Sequence, residues 1–535
     1  MHWIKKIVDD IIARNDPQIV IHTGKTPSGP IHIGSEREQF ICSAIQIELK
    51  KRGYESIFNF IIDSFDPLKS IPIGVEVPKD FEENIGRPLY LVPDPYGCHE
   101  SYAHHFSEEF IECQDDLGVY CNVIYAHEIY KKKEMKDAIR IVLKNLDKLR
   151  EIRSKYIKDE EDEWNPVMVV CESCKRIASK KGGVIPNRLE EWDLEKDIAK
   201  YKCIACGYEN KKSISDLSLK LSWRVDWAAK WAIFKVTCEP AGKDHCVKNG
   251  AYDMALEVCN KIFNYIGPLK VPYEWLTLGG RAMKTHKGIT FTPKEWLRIA
   301  PPECMRYFIL NVEPMRHIEF LPERIPDIVD GFDRIERIYY GLEKPIEDYQ
   351  YYRDLYELCI IGKIPDKPPI RLPYRFCIVM VQLEELLGEN KIIKKSIDYI
   401  RKIGYNIGKE VTDDDINDAI KRLNMAKNWV ALYAPENIKF KIKLEEPTYK
   451  PSDKKEIEFI EAIISLLEKD LSESELQGEI FNTARRIGIE VEKAFSIMYM
   501  ILLGSNKGPR LAPLLLALDR DWLIKRLKSV LQKTS

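Results

Sequence analysis

The chain has 535 residues, which is too long for a single hydrophobic core and indicates roughly two to four domains. Apolar residues make up 45% and charged residues 31%, and the net charge is −2, so a nucleic-acid partner would have to meet a local basic patch. The sequence contains no apolar run of about 18 residues and begins without an apolar signal core, so we expect a cytoplasmic protein with no membrane partner.

The first 63 residues predict a parallel βαβ unit. Residues 18–22 form a short apolar run typical of a buried strand, and residues 23–34 are rich in Gly, Pro, Ser and Thr, as loops are. A helix with one apolar face is predicted from Ser35, and residues 56–63 predict the next strand. Strand, loop, helix and strand at this spacing are typical of a parallel sheet.

The following segments predict a sheet that a large insertion interrupts. Residues 64–120 carry many prolines and read as irregular. Strand-like segments are predicted at residues 121–130, 231–237 and 274–278, and a helix is predicted over 134–156. The cysteine pairs at 167–210 indicate a small separate module. From about residue 350 onward, helical periodicity dominates.

The first loop, residues 26–34, has the composition of a phosphate-binding turn. Gly29 and Gly34 allow a backbone or ligand to approach closely. The helix N-terminus after Gly34 offers free N–H groups and the positive end of the helix dipole, and His32 can donate to a phosphate oxygen. Such a site suits ATP whose α-phosphate is attacked. A plain strand-to-helix turn with a solvated histidine is the alternative.

Two Cys-x-x-Cys pairs predict a structural zinc site. Cys171 and Cys174 are separated from Cys203 and Cys206 by 28 residues. Four thiolates form a closed tetrahedral site without an open position for catalysis. The spacer is longer than in most zinc ribbons, but a loop can lengthen without disturbing the ligands. Free thiols are the alternative.

Residues 26–34, read as T-P-S-G-x-x-H-I-G, resemble the ATP-binding signature of class I aminoacyl-tRNA synthetases. His32 and Gly34 take the positions of that motif's first histidine and its glycine. Ser35 stands where many members have histidine and the lysine family usually has asparagine, and it can cap the following helix. The resemblance implies an ATP site made from Pro27, Ser28, Gly29, His32, Gly34 and Ser35.

Further segments, spread in the same order over nearly the whole chain, are similar to the class I type of lysyl-tRNA synthetase. They are residues 63–68, 93–102, 223–227, 239–245, 508–511 and 518–521. The resemblance implies an α/β Rossmann-like nucleotide-binding catalytic domain over 1–290, with a zinc-binding insertion at about 67–215. A stem-contact region over 291–345 and an all-α C-terminal helical anticodon-binding domain over 346–535 would follow.

A lysine pocket has to hold an ammonium group at each end of the substrate and cover an apolar stem. The resemblance implies contacts from Gly24, Thr26, Trp223, His245 and Tyr273, and the pocket chemistry adds Asp226. His245 follows a predicted strand, where open α/β sheets bind ligands. The alternative is that Trp223, Trp227 and Trp231, spaced by four residues, form a helical core stripe.

A second zinc site is implied by the resemblance at Asp94, Cys98, His99 and His105. These residue types suit zinc. His104 competes with His105 for the fourth position.

The second ATP loop departs from the family pattern. In the lysine family it reads lysine-methionine-serine-serine-serine-lysine-glycine, whereas residues 282–288 read A-M-K-T-H-K-G. Met283, Lys284 and Lys287 are the predicted ATP contacts, with Lys287 and His32 stabilising the charge on the phosphates. Loss of one charge-assisted contact would cost about 2–4 kcal/mol of transition-state stabilisation.

We therefore expect a lysine–tRNA ligase that uses ATP with Mg²⁺, carries Zn²⁺, forms lysyl-adenylate and transfers the lysyl group to tRNA(Lys). A monomer is the expected state. One alternative is a tRNA-binding paralog that charges weakly or not at all, supported by the altered 282–288 loop. Others are a class I synthetase for another amino acid and a zinc-ribbon nucleic-acid binder, although the latter leaves the first 70 residues unexplained.

Overall fold

The computed structural model describes residues 2–158, 164–180, 185–283, 290–346 and 348–532. The chain forms two compact units, and each is assembled from three separate stretches. The first unit comprises Met1–Trp296, Pro302–Leu321 and Lys344–Ile364, and the second comprises Leu297–Pro301, Pro322–Glu343 and Pro365–Ser535. No helix in the described part of the chain is long and apolar enough to cross a membrane.

The strands all lie in the first unit. In chain order they are β1 (Ile19–Lys25), β2 (Ser56–Ile62), β3 (Asn122–Tyr125), β4 (Val167–Val169), β5 (Leu189–Asp193), β6 (Ile198–Lys202), β7 (Glu209–Ser213), β8 (Leu219–Leu221), β9 (Cys238–Gly242), β10 (Leu269–Tyr273), β11 (Leu276–Leu278), β12 (Arg281–Ala282) and β13 (Ile318–Phe320).

The helices are α1 (Ile4–Ala13), α2 (Glu36–Lys51), α3 (Tyr102–Ile111), α4 (Ala126–Ile129), α5 (Lys133–Lys144), α6 (Leu146–Tyr156), α7 (Trp223–Phe234), α8 (Lys243–Cys246), α9 (Ala251–Phe263), α10 (Pro293–Leu297), α11 (Pro302–Leu310), α12 (Ile325–Tyr339), α13 (Tyr349–Cys359), α14 (Tyr374–Gln382), α15 (Glu384–Leu387), α16 (Glu389–Asn406), α17 (Asp413–Leu432), α18 (Lys454–Leu467), α19 (Glu473–Ile487), α20 (Val491–Leu503), α21 (Leu511–Ala517) and α22 (Arg520–Gln532).

A five-stranded parallel sheet with the order β10-β9-β1-β2-β3 forms the centre of the first unit. The chain order reverses between β1 and β9, which is the topological switch point where such sheets bind ligands. Antiparallel strands β5-β6-β7 and the pair β4-β8 form two smaller sheets between β3 and α7. A third small sheet has the order β12-β11-β13.

Strand β2 shows why this part of the sequence reads as a nearly continuous apolar run. Phe60 and Ile62 pack in one cluster with Phe110 of α3, whereas Ile61 belongs to the large cluster that contains α5, α7 and α9. Successive side chains of a strand point to opposite faces, so both faces of the sheet are covered. Apolar residues at consecutive positions are the expected result.

The predicted βαβ unit is present as β1, α2 and β2. Two other predicted segments differ. The strand predicted at residues 231–237 is wrong, because Trp223–Phe234 is helical and ends at Lys235, whose φ is 53°. A short apolar run does not separate a buried helix from a strand, and the strand is Cys238–Gly242. Of residues 121–130, Asn122–Tyr125 is a strand and Ala126–Ile129 is helical.

The described secondary structure of the second unit is helical, from α12 and from α14 onward. Its core contains a charged pair. Arg422 of α17 donates to both oxygens of Asp333 of α12, at 2.7 Å each, and both side chains are buried. A bidentate pair of this kind fixes the register between two helices.

Candidate functional site

A cleft of about 890 Å³ opens at the carboxyl ends of β1 and β9. Its lining includes most of the predicted ATP and amino-acid residues, from the loop after β1, the start of α7 and the short helix α8. They are Gly24, Thr26, Ser28, His32, Gly34, Ser35, Trp223, Asp226, His245, Tyr273 and Met283. Pro27 and Gly29 belong to the same loop but are not among the described lining residues.

The loop after β1 is held by hydrogen bonds to its own backbone. The Ser28 N–H donates to the Thr26 carbonyl at 2.9 Å, and the Tyr102 hydroxyl donates to the Ser28 carbonyl at 3.0 Å. A Cβ at Gly34 would lie 2.7 Å from Nδ1 of His32. Glycine is therefore required at this position by the protein's own histidine, independently of any ligand.

His32 is a neutral donor facing this loop. Its Nδ1 accepts from the Gly34 N–H at 3.1 Å, which leaves the proton on Nε2. Burial, and secondarily the charge of Lys25, lowers the pKa of His32 to about 3. The imidazole is uncharged at neutral pH and can offer one N–H to an anion.

Ser35 does not cap α2 as the sequence predicted. The structure gives it no side-chain capping hydrogen bond, because its backbone is already helical, with φ −75° and ψ −20°. Within the described residues its buried hydroxyl has no hydrogen-bond partner, and it lines the cleft.

The aromatic residues predicted for an amino-acid pocket lie at the cleft. Trp223, the first residue of α7, is 42% exposed, and its ring centroid lies 5.4 Å from that of His245. The Tyr273 hydroxyl donates to Oε2 of Glu38 at 2.8 Å. Glu38 is buried and lines the cleft, and burial is the main cause that raises its pKa.

Asp226 is engaged by the protein itself. Its Oδ2 lies 2.8 Å from Nζ of Lys230 and 3.7 Å from Nζ of Lys220, and its Oδ1 accepts from the Tyr130 hydroxyl at 2.6 Å. Desolvation works against the charged form, but the two lysines outweigh it and lower the pKa of Asp226. Its role as a substrate contact stays a prediction.

Lys220 and Lys230 each form a second ion pair besides the one with Asp226. Lys230 pairs with Asp63 at 2.7 Å and Lys220 pairs with Asp66 at 3.1 Å. Asp66 in turn accepts from the Thr26 hydroxyl at 2.9 Å. The ends of β1 and β2 are thereby tied to β8 and α7 along one wall of the cleft.

Two of the three tryptophans spaced by four residues in α7 pack in the hydrophobic core. Trp231 is fully buried, and Trp227 is partly buried and lines the cleft. Their indole N–H groups donate to the two oxygens of Glu239 at 2.7 and 2.6 Å. Burial raises the pKa of Glu239 to about 7. The core interpretation therefore holds for Trp231, and a contact of Trp223 with an amino acid stays a prediction.

Sequence reasoning missed several cleft residues, namely Glu38, Asp63, Lys220, Lys230 and Glu239. Glu38 lies two residues beyond the start of a helix that follows the first loop, which places it at the cleft. The buried lysines carried no such signal, because lysine is almost always exposed.

The four cysteines of the two Cys-x-x-Cys pairs meet in one cluster. Sγ of Cys171 lies 3.7 Å from that of Cys206, and Sγ of Cys174 lies 3.6 Å from that of Cys203. Both pairs have the same turn. The Cys171 N–H donates to the carbonyl of Arg176, and the Cys203 N–H donates to that of Tyr208, five residues on in each case.

Asp94, Cys98, His99 and His105 form a second cluster. Their ligand atoms are separated by 3.3 Å (Asp94 to Cys98), 3.6 Å (Asp94 to His99), 3.4 Å (Asp94 to His105), 3.0 Å (Cys98 to His99), 3.3 Å (Cys98 to His105) and 3.1 Å (His99 to His105). His104 points elsewhere, with its Nδ1 on the Ser101 hydroxyl and its ring stacked on Tyr125.

The second predicted ATP loop lies largely outside the described residues. Lys284 and Lys287 are in that part of the chain. Met283, the last residue described before it, is buried, and its Cε would lie 3.4 Å from a Cβ at Gly34. The structure therefore brings Met283, the second residue of this loop, to the turn of residues 26–34.

Comparison with known proteins gives consistent results. Residues 1–361 match the family model described as tRNA synthetases class I (K). Lysine–tRNA ligases from Methanocaldococcus jannaschii, Methanosphaera stadtmanae and Archaeoglobus fulgidus are 36%, 31% and 34% identical to this chain. The alignments cover 98%, 98% and 99% of this chain and 99%, 99% and 100% of those proteins. The chain belongs to the class I (K) family of tRNA synthetases.

Proposed function

We propose that the protein is a lysine–tRNA ligase, which joins L-lysine to the AMP moiety of ATP as lysyl-adenylate, with release of pyrophosphate. It then passes the lysyl group to the terminal ribose of tRNA(Lys), with release of AMP. The observation that carries this proposal is the cleft at the sheet's switch point, where a phosphate-binding turn lies beside buried carboxylates and an aromatic wall. Relatives that match the whole chain are lysine–tRNA ligases, which supports the same activity.

The ATP phosphates occupy the turn of residues 26–34 and the N-terminus of α2 in this proposal. The Nε2–H of His32 is the donor, and the helix end supplies backbone N–H groups and a favourable dipole. Ser35 offers a further hydroxyl. Lys284 and Lys287 are assigned to the phosphates from sequence, and Mg²⁺ accompanies ATP. No nucleophilic side chain is needed, because the lysine carboxylate attacks the α-phosphate.

The lysine substrate occupies the end of the cleft around Trp223, His245 and Tyr273. Glu38 supplies a buried carboxylate that a substrate ammonium can pair with, and Trp223 covers the apolar stem. Gly24 and Thr26, at the end of β1, lie beside the reacting carboxylate and amino groups. We assign Asp226 to the support of this wall, because its charge is already paired.

Zn²⁺ fits both ligand clusters. Tetrahedral zinc with Zn–S bonds of about 2.3 Å separates the sulfurs by about 3.8 Å. The sulfur distances of 3.6 and 3.7 Å are close to that value, and they are too long for disulfides. In the second cluster, ligand atoms 3.0 to 3.6 Å apart leave room for one zinc ion, with bonds of about 2.0 Å to nitrogen and oxygen and about 2.3 Å to the sulfur of Cys98. Zinc at these sites stabilises the fold of the segments that border the cleft.

The helices of the second unit are proposed to bind the anticodon of the tRNA. Exposed aromatic side chains on a helical surface suit stacking on single-stranded bases, and Tyr405 of α16 is 85% exposed. This assignment rests on the resemblance of residues 346–535 to the family.

A charging assay tests the proposed function. Zinc-loaded protein is incubated with ATP, Mg²⁺, tRNA(Lys) and labelled lysine, and acid-precipitable label on the tRNA is measured against another tRNA as control. Charging of tRNA(Lys) with lysine is the expected result. Tight tRNA binding without charging would favour the inactive paralog, for which the altered 282–288 loop is the specific observation. Metal analysis of the same protein should give two zinc ions per chain.

A further inference from the structure

Arg37 is the most thoroughly engaged buried cation near the cleft. It lies on α2, one residue after the start of the helix, and is 1% exposed. Its guanidinium donates to backbone carbonyls, at 2.7 Å to Arg316, 2.9 Å to Pro314, 3.1 Å to Glu313 and 3.5 Å to Trp275. A buried arginine that donates to several backbone carbonyls, rather than to a carboxylate, fixes the relative position of the backbone segments that carry them.

The carbonyls that Arg37 holds belong to the segments that lead into β11 and β13. Trp275 directly precedes β11, and Arg316 lies two residues before β13. These two strands pair in parallel, and β11 forms an antiparallel hairpin with β12, which Met283 follows directly. Arg37 thus joins the helix behind the first ATP loop to the hairpin that leads into the second.

Two further contacts tie the same regions together. The Ile33 N–H donates to the Phe291 carbonyl at 2.8 Å, and the Met283 side chain lies against Gly34. The described residues on each side of 284–289 are therefore anchored to the first loop. These contacts link the first loop to the described residues that flank 284–289, and the Arg37 contacts are made by a buried side chain.

We propose that Arg37 is a positioning residue for adenylate formation, which rests on the proposed function. It holds the β11–β12 hairpin and Met283 at a fixed distance from the phosphate-binding turn, without touching a substrate. Displacing a positioned group by about 1 Å costs on the order of 10² in rate. Loss of Arg37 therefore changes the use of ATP more than it changes the affinity for lysine.

Arg306 provides a matched control. It is also fully buried in the first unit and also donates to backbone carbonyls, those of Leu117, Gly118 and Leu358. These residues lie outside the described lining of the cleft. Arg306 also contacts α2, through the Ser43 hydroxyl and the Phe40 ring, but it makes no described contact with the segments that lead into β11 and β13. Substitutions at Arg306 therefore reproduce the loss of a buried arginine beside α2 without removing the contacts to those segments.

The test compares Arg37→Lys and Arg37→Met with Arg306→Lys and Arg306→Met. Thermal unfolding measures the stability of each variant. ATP–pyrophosphate exchange with tRNA present gives kcat, the KM for ATP and the KM for lysine. We expect Arg37→Met to lower kcat/KM for ATP by about 10², with the KM for lysine changed less than about threefold. Arg37→Lys should recover part of this loss, because its ammonium still donates to some carbonyls.

Equal losses of kcat/KM for ATP in the Arg37 and Arg306 variants at matched stability would overturn the proposal. Hydrogen exchange of residues 274–282 gives a second measurement that does not depend on activity. Faster exchange there in Arg37→Lys than in Arg306→Lys is expected, and equal exchange overturns the proposal. If the wild-type protein shows no pyrophosphate exchange, the proposed function fails, and the hydrogen-exchange comparison alone decides the role of Arg37.

Discussion

Two buried carboxylates that line the cleft, Asp226 and Glu38, differ in their charged neighbours. Asp226 is bracketed by Lys220 and Lys230, so its charge is balanced inside the protein. Glu38 accepts from the Tyr273 hydroxyl, and within the described residues no cation lies at ion-pair distance from it. Both side chains carry the same charge, but Asp226 lies within ion-pair distance of two lysines, whereas Glu38 is acted on by the more distant charge of Lys25.

This difference identifies which carboxylate can receive an ammonium group. The charge of a cation paired with Glu38 offsets the desolvation that raises its pKa, so a substrate ammonium is favoured there. A second cation beside Asp226 would be repelled by the two lysines. We therefore expect Asp226 to matter for stability and Glu38 to matter for binding.

The largest expected effect is on stability, from Asp226→Asn. Removing one partner of a buried ion network leaves two lysines less well compensated, which should lower the free energy of unfolding by about 3–5 kcal/mol. Urea unfolding measures this, with the conservative Glu38→Gln as the matched control. If Asp226→Asn left the stability unchanged but abolished lysine binding, Asp226 would be a substrate contact and the proposed difference between the two carboxylates would be contradicted.

Glu38→Gln should raise the KM for lysine by about 10², because the substrate ammonium loses its charged partner while the shape is kept. The KM for ATP should change little, since Glu38 is not part of the phosphate-binding turn. Pyrophosphate exchange at varied lysine concentration measures both. A KM for lysine that stays at the wild-type value would remove Glu38 from the pocket.

A third buried carboxylate, that of Glu239, should make the stability of the protein depend on pH. Burial raises its pKa in the folded protein to about 7, above its ordinary value in an unfolded chain, so the folded state binds the proton more tightly. The stability that this contributes is present at low pH and is lost as the pH rises towards 7, on the order of 2–3 kcal/mol. Unfolding of the wild-type protein and of Glu239→Gln from pH 4 to 8 measures the difference. A constant difference would contradict the assignment.

The smallest effect concerns lysine affinity. Burial raises the pKa of Glu38, so binding of an ammonium releases a proton when the carboxyl is protonated in the free protein. Affinity for lysine should therefore rise with pH, by at most about tenfold per pH unit, until the pH exceeds that pKa. The dependence should be absent in Glu38→Gln. An affinity for wild-type protein that falls as pH rises would contradict this sign.

Local patterns predicted much of the fold and part of the site. The turn after β1 was recognisable because Gly, Pro and a histidine follow an apolar strand, and the cysteine pairs because ligand spacing is local. The Glu38–Tyr273 contact joins residues 235 positions apart, and no local pattern encodes it. No local pattern encodes the pairing of Asp226 with Lys220 and Lys230 either. For this reason, the sequence predicts a substrate contact at Asp226. The predicted domain boundaries stay predictions.

The most direct test of the proposed activity is ATP–pyrophosphate exchange with each of the twenty amino acids, run with and without tRNA on zinc-loaded protein. The predicted result is exchange with lysine, reduced by Glu38→Gln and retained, per folded molecule, by Asp226→Asn. Exchange with a different amino acid would keep the enzyme class and reject lysine as the substrate. No exchange with any amino acid under either condition would contradict the proposed catalytic function.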